Sequence, residues 1–202
     1  MSSLKKMWLP LIAWLIMLGS CQSSDSSSSS ATDSKELKQL FHEYWEERLQ
    51  LYPLEATAIG DNRYNDQMTI TISESFREKA KAFYEKFLQK SKAFKSSLND
   101  QDALSKEIFE YEMESHLKEY NFPAHLMPIN QFWSFTLEFP QLGSGDANQP
   151  FKTTKDYDNF LKRMAIFPHW IDTAIDNMKK GMQQGIVLPK VLAAKVIPQI
   201  KG

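Results

Sequence analysis

Apolar residues recur at steps of three and four along most of this chain, which predicts helices joined by short turns. In the first helix Leu37, Leu40, Phe41, Tyr44, Trp45, Leu51 and Tyr52 fall near one face, with Glu43, Glu46, Glu47 and Gln50 facing away. Pro53 disfavours helical geometry at Tyr52 and so ends that helix. Proline also suits the first turn of a new one, Leu54 to Ile59, and Gly60 can take the left-handed conformation that caps it. Thr71 to Glu74 reads as a capping box. It opens a long helix to about Leu98, striped by Phe76, Ala80, Phe83, Phe87, Phe94 and Leu98. A third long helix, about Ala103 to Tyr120, carries two rows: Leu104, Ile108 and Tyr111, then Phe109, Met113, His116 and Tyr120. Two rows predict a helix contacted on two sides, as in a bundle.

Residues 121–150 break the periodicity. Pro123, Pro128, Pro140, Gly143, Gly145 and Pro150 oppose a long helix, yet Phe122, Phe132, Trp133, Phe135, Leu137 and Phe139 make the segment aromatic. Such a segment either caps the bundle or faces a ligand; in the second case Asn130, Gln131 and Trp133 would face a substrate or partner. Thr153 and Asp156 then signal a helix start. Tyr157, Phe160, Leu161, Met164, Ile171, Ala174, Ile175, Met178 and Met182 form its stripe. Pro168 is expected to kink or split it, the methionines to fill core, and Gly185 to cap it. A last helix runs from Lys190 to Ile200. No alternating run is long enough for a sheet, although Met68 to Ile72 could be extended. The predicted fold is therefore all-α, a bundle-like lobe of about five to seven helices.

The N-terminus changes the picture. Met1 to Ser20 reads as a signal peptide, with Lys5 and Lys6 before an apolar run from Met7 to Leu18. That run is shorter than the roughly 20 residues a membrane span needs. Leu18-Gly19-Ser20-Cys21 resembles a bacterial lipobox, making Cys21 a lipid-attachment residue and the membrane a partner through that anchor. An ordinary signal peptide with an unrelated cysteine is the competing reading. Cys21 is the one cysteine, so lipidation leaves no thiol for a disulfide, a zinc–thiolate site or a nucleophile. Residues 21–33, serine-rich and without apolar surface to bury, read as a flexible tether, and 34–202 as the folded lobe. Gln22 after the cysteine resembles Gram-negative lipoproteins of the outer membrane, which implies an envelope location with the leaflet open. A net charge of −1 argues against a nucleic-acid partner. The lysines from Lys79 to Lys95 are interrupted by Glu85 and read as a solvated helix face.

Chemistry is sparse. There are four histidines: His42, His116, His125 and His169. No His-Glu-x-x-His occurs. His42 with Glu46, and Glu112 with His116, are spaced to share a helix face, but a catalytic zinc needs three protein ligands. Plain surface or core histidines compete with both pairs, and His116 beside Phe109, Met113 and Tyr120 reads as a core residue. No serine elbow, phosphate loop or dinucleotide fingerprint is present. Asp61 and Arg63 form a polar pair after Gly60, read either as a turn cap with an ion pair or as a substrate-facing couple. No catalytic residue, metal ligand or cofactor is assigned to this chain.

Three stretches carry a family resemblance. The first is FHEYWEERLQLYPLEATAIGDNRYND, with Trp45, Pro53, Ala56-Thr57, Gly60-Asp61 and Arg63-Tyr64. The second is MPINQFWSFTLEFPQL, with Pro128, Asn130 and Gln131. The third is the tract from Asp156 to Ile200, with the step Gly185-Ile-Val-Leu-Pro189. Together they resemble the DUF885 proteins, bacterial and largely helical, which are regarded as metal-dependent peptidases. The resemblance covers Lys35 to Gly202 and only the N-terminal portion of the family. It implies a lobe forming one wall of a peptide cleft. Zinc would belong to a longer form, held by a histidine- and glutamate-bearing motif that has no counterpart in these residues. On that reading the chain is an N-terminal piece, inactive as a peptidase by itself, with exposed apolar surface where a further lobe docks. The alternative is a non-catalytic helical envelope lipoprotein that binds a peptide or protein through Asn121 to Pro150.

Overall fold

The computed structural model describes residues 26–94, 98–132 and 134–201. Seven α-helices follow in order: α1 (Ser26–Leu51), α2 (Pro53–Ala58), α3 (Glu74–Lys92), α4 (Asp100–Glu119), α5 (Phe135–Leu142), α6 (Thr154–Gln183) and α7 (Lys190–Lys201). Short 3-10 turns occur at Asn62–Tyr64 and Ala124–Leu126. Among the described residues there is no strand, only an isolated bridge between Ile129 and Ser134. The fold is all-α, as the periodicity predicts. The expected signal peptide, Cys21 and Trp133 lie outside the described residues. No described helix is long and apolar enough to cross a membrane. α1 begins at Ser26, so its first turns belong to the serine-rich stretch; extending an existing helix is far easier than starting one.

The helix ends are set by local chemistry. Pro53 sits in the first turn of α2. Gly60, at φ 83°, closes that helix: its N–H donates to the Thr57 carbonyl and that of Asp61 to the Ala56 carbonyl. This is a Schellman cap. Gly185, at φ 73°, closes α6 in the same way, through Ile186 N–H to the Gly181 carbonyl. Thr153 and Asp156 form a reciprocal capping box on α6. The cap of α3 differs from expectation. Ser73, not Thr71, accepts from the Phe76 N–H, and the helix ends at Lys92 rather than near Leu98. α4 starts early because the Asn99 side chain accepts from the Asp102 N–H.

Two cores are built on these helices. α1, α3 and α4 enclose the first, where Leu37, Leu40, Tyr44, Phe83, Phe87, Phe109 and Met113 are buried. Tyr44 meets the Phe109 ring edge-on at 5.0 Å. Lys86 with Glu47, Lys90 with Glu43 and Lys92 with Glu114 fence this bundle at 2.6–2.9 Å, so the lysine run is a solvated, partly paired face. The second core lies between residues 68–72, α5 and α6. There Phe139 stacks on Phe167 at 4.5 Å beside Met68, Trp170 and Ala174. Thus Phe135 and Phe139 of the aromatic segment are core residues, on a short helix that contains Pro140. α6 runs unbroken through Pro168.

The junction between the cores is a buried arginine. Arg163 on α6 is 0% exposed. Its guanidinium donates to the carbonyls of Gln67 (2.9 Å), Tyr64 (3.0 Å) and Pro53 (3.4 Å), to the Thr57 hydroxyl (2.7 Å) and to the Gln149 side-chain oxygen. Burial pulls its pKa down to about 10, and Asp66 partly offsets that, so it stays a cation at neutral pH. The buried face of α6 is accordingly Arg163, Trp170, Ala174, Asn177 and Gly181. The stripe read from sequence is only partly buried: Phe160, Ile171 and Ala174 pack in the second core, whereas Tyr157, Leu161, Met164, Ile175 and Met182 are exposed. The outer row of α4, Leu104, Ile108 and Tyr111, is likewise exposed rather than contacted, because α1 and α3 both pack on its other side.

Candidate functional site

A groove forms where the Ala124–Leu126 turn packs on the end of α6. The approach is close because residue 181 is glycine: a Cβ there would lie 2.7 Å from the Ile186 carbonyl oxygen and 3.0 Å from that of Leu126. The cap at Gly185 then redirects the chain through Ile186–Leu188 into α7. The result is an apolar pocket of about 240 Å³, lined chiefly by Leu126, Met127, Ile129, Met178, Met182 and Leu188. A second pocket of about 410 Å³ shares Met127 and Leu188 with it. Its polar walls are Thr71, Arg77, His125 and Asn130. Two contiguous pockets, one apolar and one polar, make an amphipathic site of the kind ligands use.

The polar pocket carries one ionised wall residue, Arg77. Arg77 stacks its guanidinium over the Tyr120 ring at 5.1 Å, and its Nε lies 3.9 Å from a Glu74 carboxylate oxygen, beyond hydrogen-bond reach. His125 is held below its ordinary pKa by burial first and then by Arg77, with Lys180 acting the same way and Glu74 opposing. Its imidazole is therefore neutral at pH 7. Arg77 Nε and His125 Nδ1 are both buried and have no hydrogen-bond partner among the described residues.

The residues singled out from sequence are only partly gathered here. Asn130 lines the polar pocket, and its side-chain oxygen accepts from the Phe132 N–H at 2.8 Å. Gln131 is adjacent; its carbonyl accepts from Gln199 of α7 at 3.2 Å, and its side-chain oxygen is buried without a partner among the described residues. Asp61 and Arg63 do not line either pocket. Arg63 bridges Asp61 and Glu46 at 2.6 Å each, and the Asp61 carboxylate also accepts the Arg63 N–H. Those bonds to Arg63 lower the pKa of both carboxyls, and the couple caps the Asn62–Tyr64 turn. The same pairing engages the Glu46 of the His42–Glu46 pair. His116, half-buried, stacks on Tyr84 at 4.4 Å. Among the described residues no three His, Cys, Asp or Glu side chains come close enough to hold a metal ion. They therefore do not fit a zinc site, and no chemical step is routed through one.

Sequence reading missed Arg77, His125 and Leu188 as neighbours, since they are brought together from distant parts of the chain. It also placed Met178 and Met182 in the core, whereas both line the groove. Methionine periodicity does not separate a core stripe from a pocket wall.

The family model described as "Bacterial protein of unknown function (DUF885)" matches residues 53–202. The match starts at Pro53, so the tryptophan-bearing helix α1 precedes it. No curated protein and no solved structure matches the chain.

Proposed function

The chain belongs to the DUF885 family, and from that premise we propose that its helices form a peptide-binding lobe whose ligand lies in the groove between the Ala124–Leu126 turn, α6 and α7. The observation that carries this reading is the contiguity of the two pockets. A peptide presents an apolar side chain beside polar backbone groups, which is the order of surfaces the groove presents. Within the family reading, the groove is one wall of the substrate cleft of a metal-dependent peptidase of the cell envelope, with Cys21 as its lipid anchor. The described residues supply binding and orientation in that scheme and no metal chemistry.

The test is a titration of the full chain with fluorescent peptides bearing one large apolar residue, read by polarisation. Saturable binding is expected, with a loss of ~10-fold or more in Met182→Glu, which places a charge against the apolar pocket. Met182 is 69% exposed, so the variant keeps its fold. Absence of binding, or equal binding by Met182→Glu, contradicts the reading. A second reading, a non-catalytic lobe that docks a protein, is favoured by the exposed row of Tyr157, Leu161 and Met164 on α6. Under that reading Leu161→Glu abolishes partner binding and leaves the peptide titration unchanged.

A further inference from the structure

We infer that the groove receives the C-terminal end of its peptide, with the terminal carboxylate against Arg77 and His125 and the last side chain in the apolar pocket. This deepens the peptide-binding reading and rests on it.

The argument begins with donors. Arg77 Nε is a donor in every protonation state, and a neutral imidazole keeps one N–H. The Arg77 Nε and His125 Nδ1 atoms are buried and make no hydrogen bond among the described residues, Glu74 approaching Arg77 only to 3.9 Å, and leaving buried polar atoms unpaired is unfavourable. With the imidazole proton on Nδ1, a group that accepts from both relieves that. The acceptor best matched to a guanidinium is a carboxylate, whose charge-assisted hydrogen bonds are about twice as strong as neutral ones.

Charge selects further. The ionisable groups acting on His125 are Arg77, Lys180 and Glu74. Arg77 is the one ionised residue lining the pocket, and Glu74, at 3.9 Å, is too far to satisfy its Nε by a hydrogen bond. A peptide N-terminus would be repelled there. An internal peptide segment would bring carbonyl oxygens but no charge. Geometry then fixes the neighbour: the polar pocket joins the apolar one through Met127 and Leu188. A carboxylate at Arg77 thus places the side chain of the same residue at the mouth of a pocket walled by Met178, Met182 and Ile129. The ligand class is a peptide ending in a large aliphatic or aromatic residue with a free carboxylate.

The experiment compares two peptides of one sequence, ending in leucine, one as the free acid and one as the C-terminal amide. Each is titrated calorimetrically into the full chain and into Arg77→Gln. The acid is expected to bind roughly 10- to 100-fold more tightly than the amide. In Arg77→Gln that ratio is expected to collapse towards one, and an unchanged thermal melt certifies the fold. If Arg77→Gln loses amide binding as well, His125→Gln is used for the same ratio. Equal binding of acid and amide by the wild type overturns the carboxylate assignment and leaves the peptide-binding reading standing. No binding of either peptide overturns both.

Discussion

Arg163→Ala is expected to lower the unfolding free energy by about 4 kcal/mol, at the far end of what single substitutions do. The arginine is fully buried, and its bonds reach α2, the Asn62–Tyr64 turn, Gln67 and Gln149. Truncation strands the Gln67 carbonyl and the Gln149 oxygen at once, while the Tyr64 carbonyl keeps the Gln67 N–H at 3.0 Å. Each stranded group costs about 1–3 kcal/mol, and water entering the new cavity holds the total below the sum. In a chain of this size the loss corresponds to a fall in Tm of roughly 10 °C. Arg163→Lys is expected to recover only part of it, because one ammonium cannot span acceptors spread around a planar fork. Denaturant unfolding checks this through the midpoint at constant slope; a loss below ~1 kcal/mol would show that the hub is not what joins the two cores.

The second large effect runs against helix propensity. Gly181 lies inside α6, where alanine normally gains up to ~1 kcal/mol over glycine. Here the added Cβ would stand 2.7 Å from one backbone oxygen and 3.0 Å from another, and backbone atoms cannot rotate away as a side-chain tip can. Gly181→Ala is therefore expected to destabilise the fold by about 2 kcal/mol net, in the range of overpacking. It should also push the Leu126 turn off α6. Leu126 and Ile186 both wall the apolar pocket, so peptide affinity is expected to drop ~10-fold or more, since a misplaced wall removes apolar contact area. Denaturant melts and peptide titration of the same variant check both; unchanged stability together with unchanged affinity would contradict the close packing.

How far the chain could be read follows from these residues. The helices with apolar periodicity, α1 and α3, were legible, as were the short α7 and the caps at Gly60, Gly185 and Thr153, because each depends on neighbours in sequence. The orientation of α6 was not. Its buried face uses an arginine, an asparagine and a glycine, residue types that read as polar surface or helix weakness, and only part of its apolar stripe, Phe160, Ile171 and Ala174, turns inward. Asn177 shows why: its amide donates to the Ile72 carbonyl at 2.8 Å, a partner no local pattern reveals. α5 was hidden by Pro140 and the glycines around it. Asn130, singled out from sequence, lines the polar pocket while Gln131 does not; Arg77 and His125 carry no sequence signal, since no spacing links the first turns of α3 to the turn after α4. Asp61 and Arg63, read either as a turn cap with an ion pair or as a substrate-facing couple, form the turn cap and ion pair and line neither pocket.

The central claim is the place where peptide binds, and methionine methyl NMR tests it directly. Met127, Met178 and Met182 wall the apolar pocket, Met68 and Met113 lie in the two cores, and Met164 is exposed away from the groove on the outer face of α6. With ¹³C-methyl methionine in the full chain, adding a leucine-terminated peptide is predicted to shift Met127, Met178 and Met182 and leave Met68, Met113 and Met164 in place. Shifts at Met164 with the three pocket methyls unmoved, or no shifts at saturating peptide, would contradict the groove as the binding site.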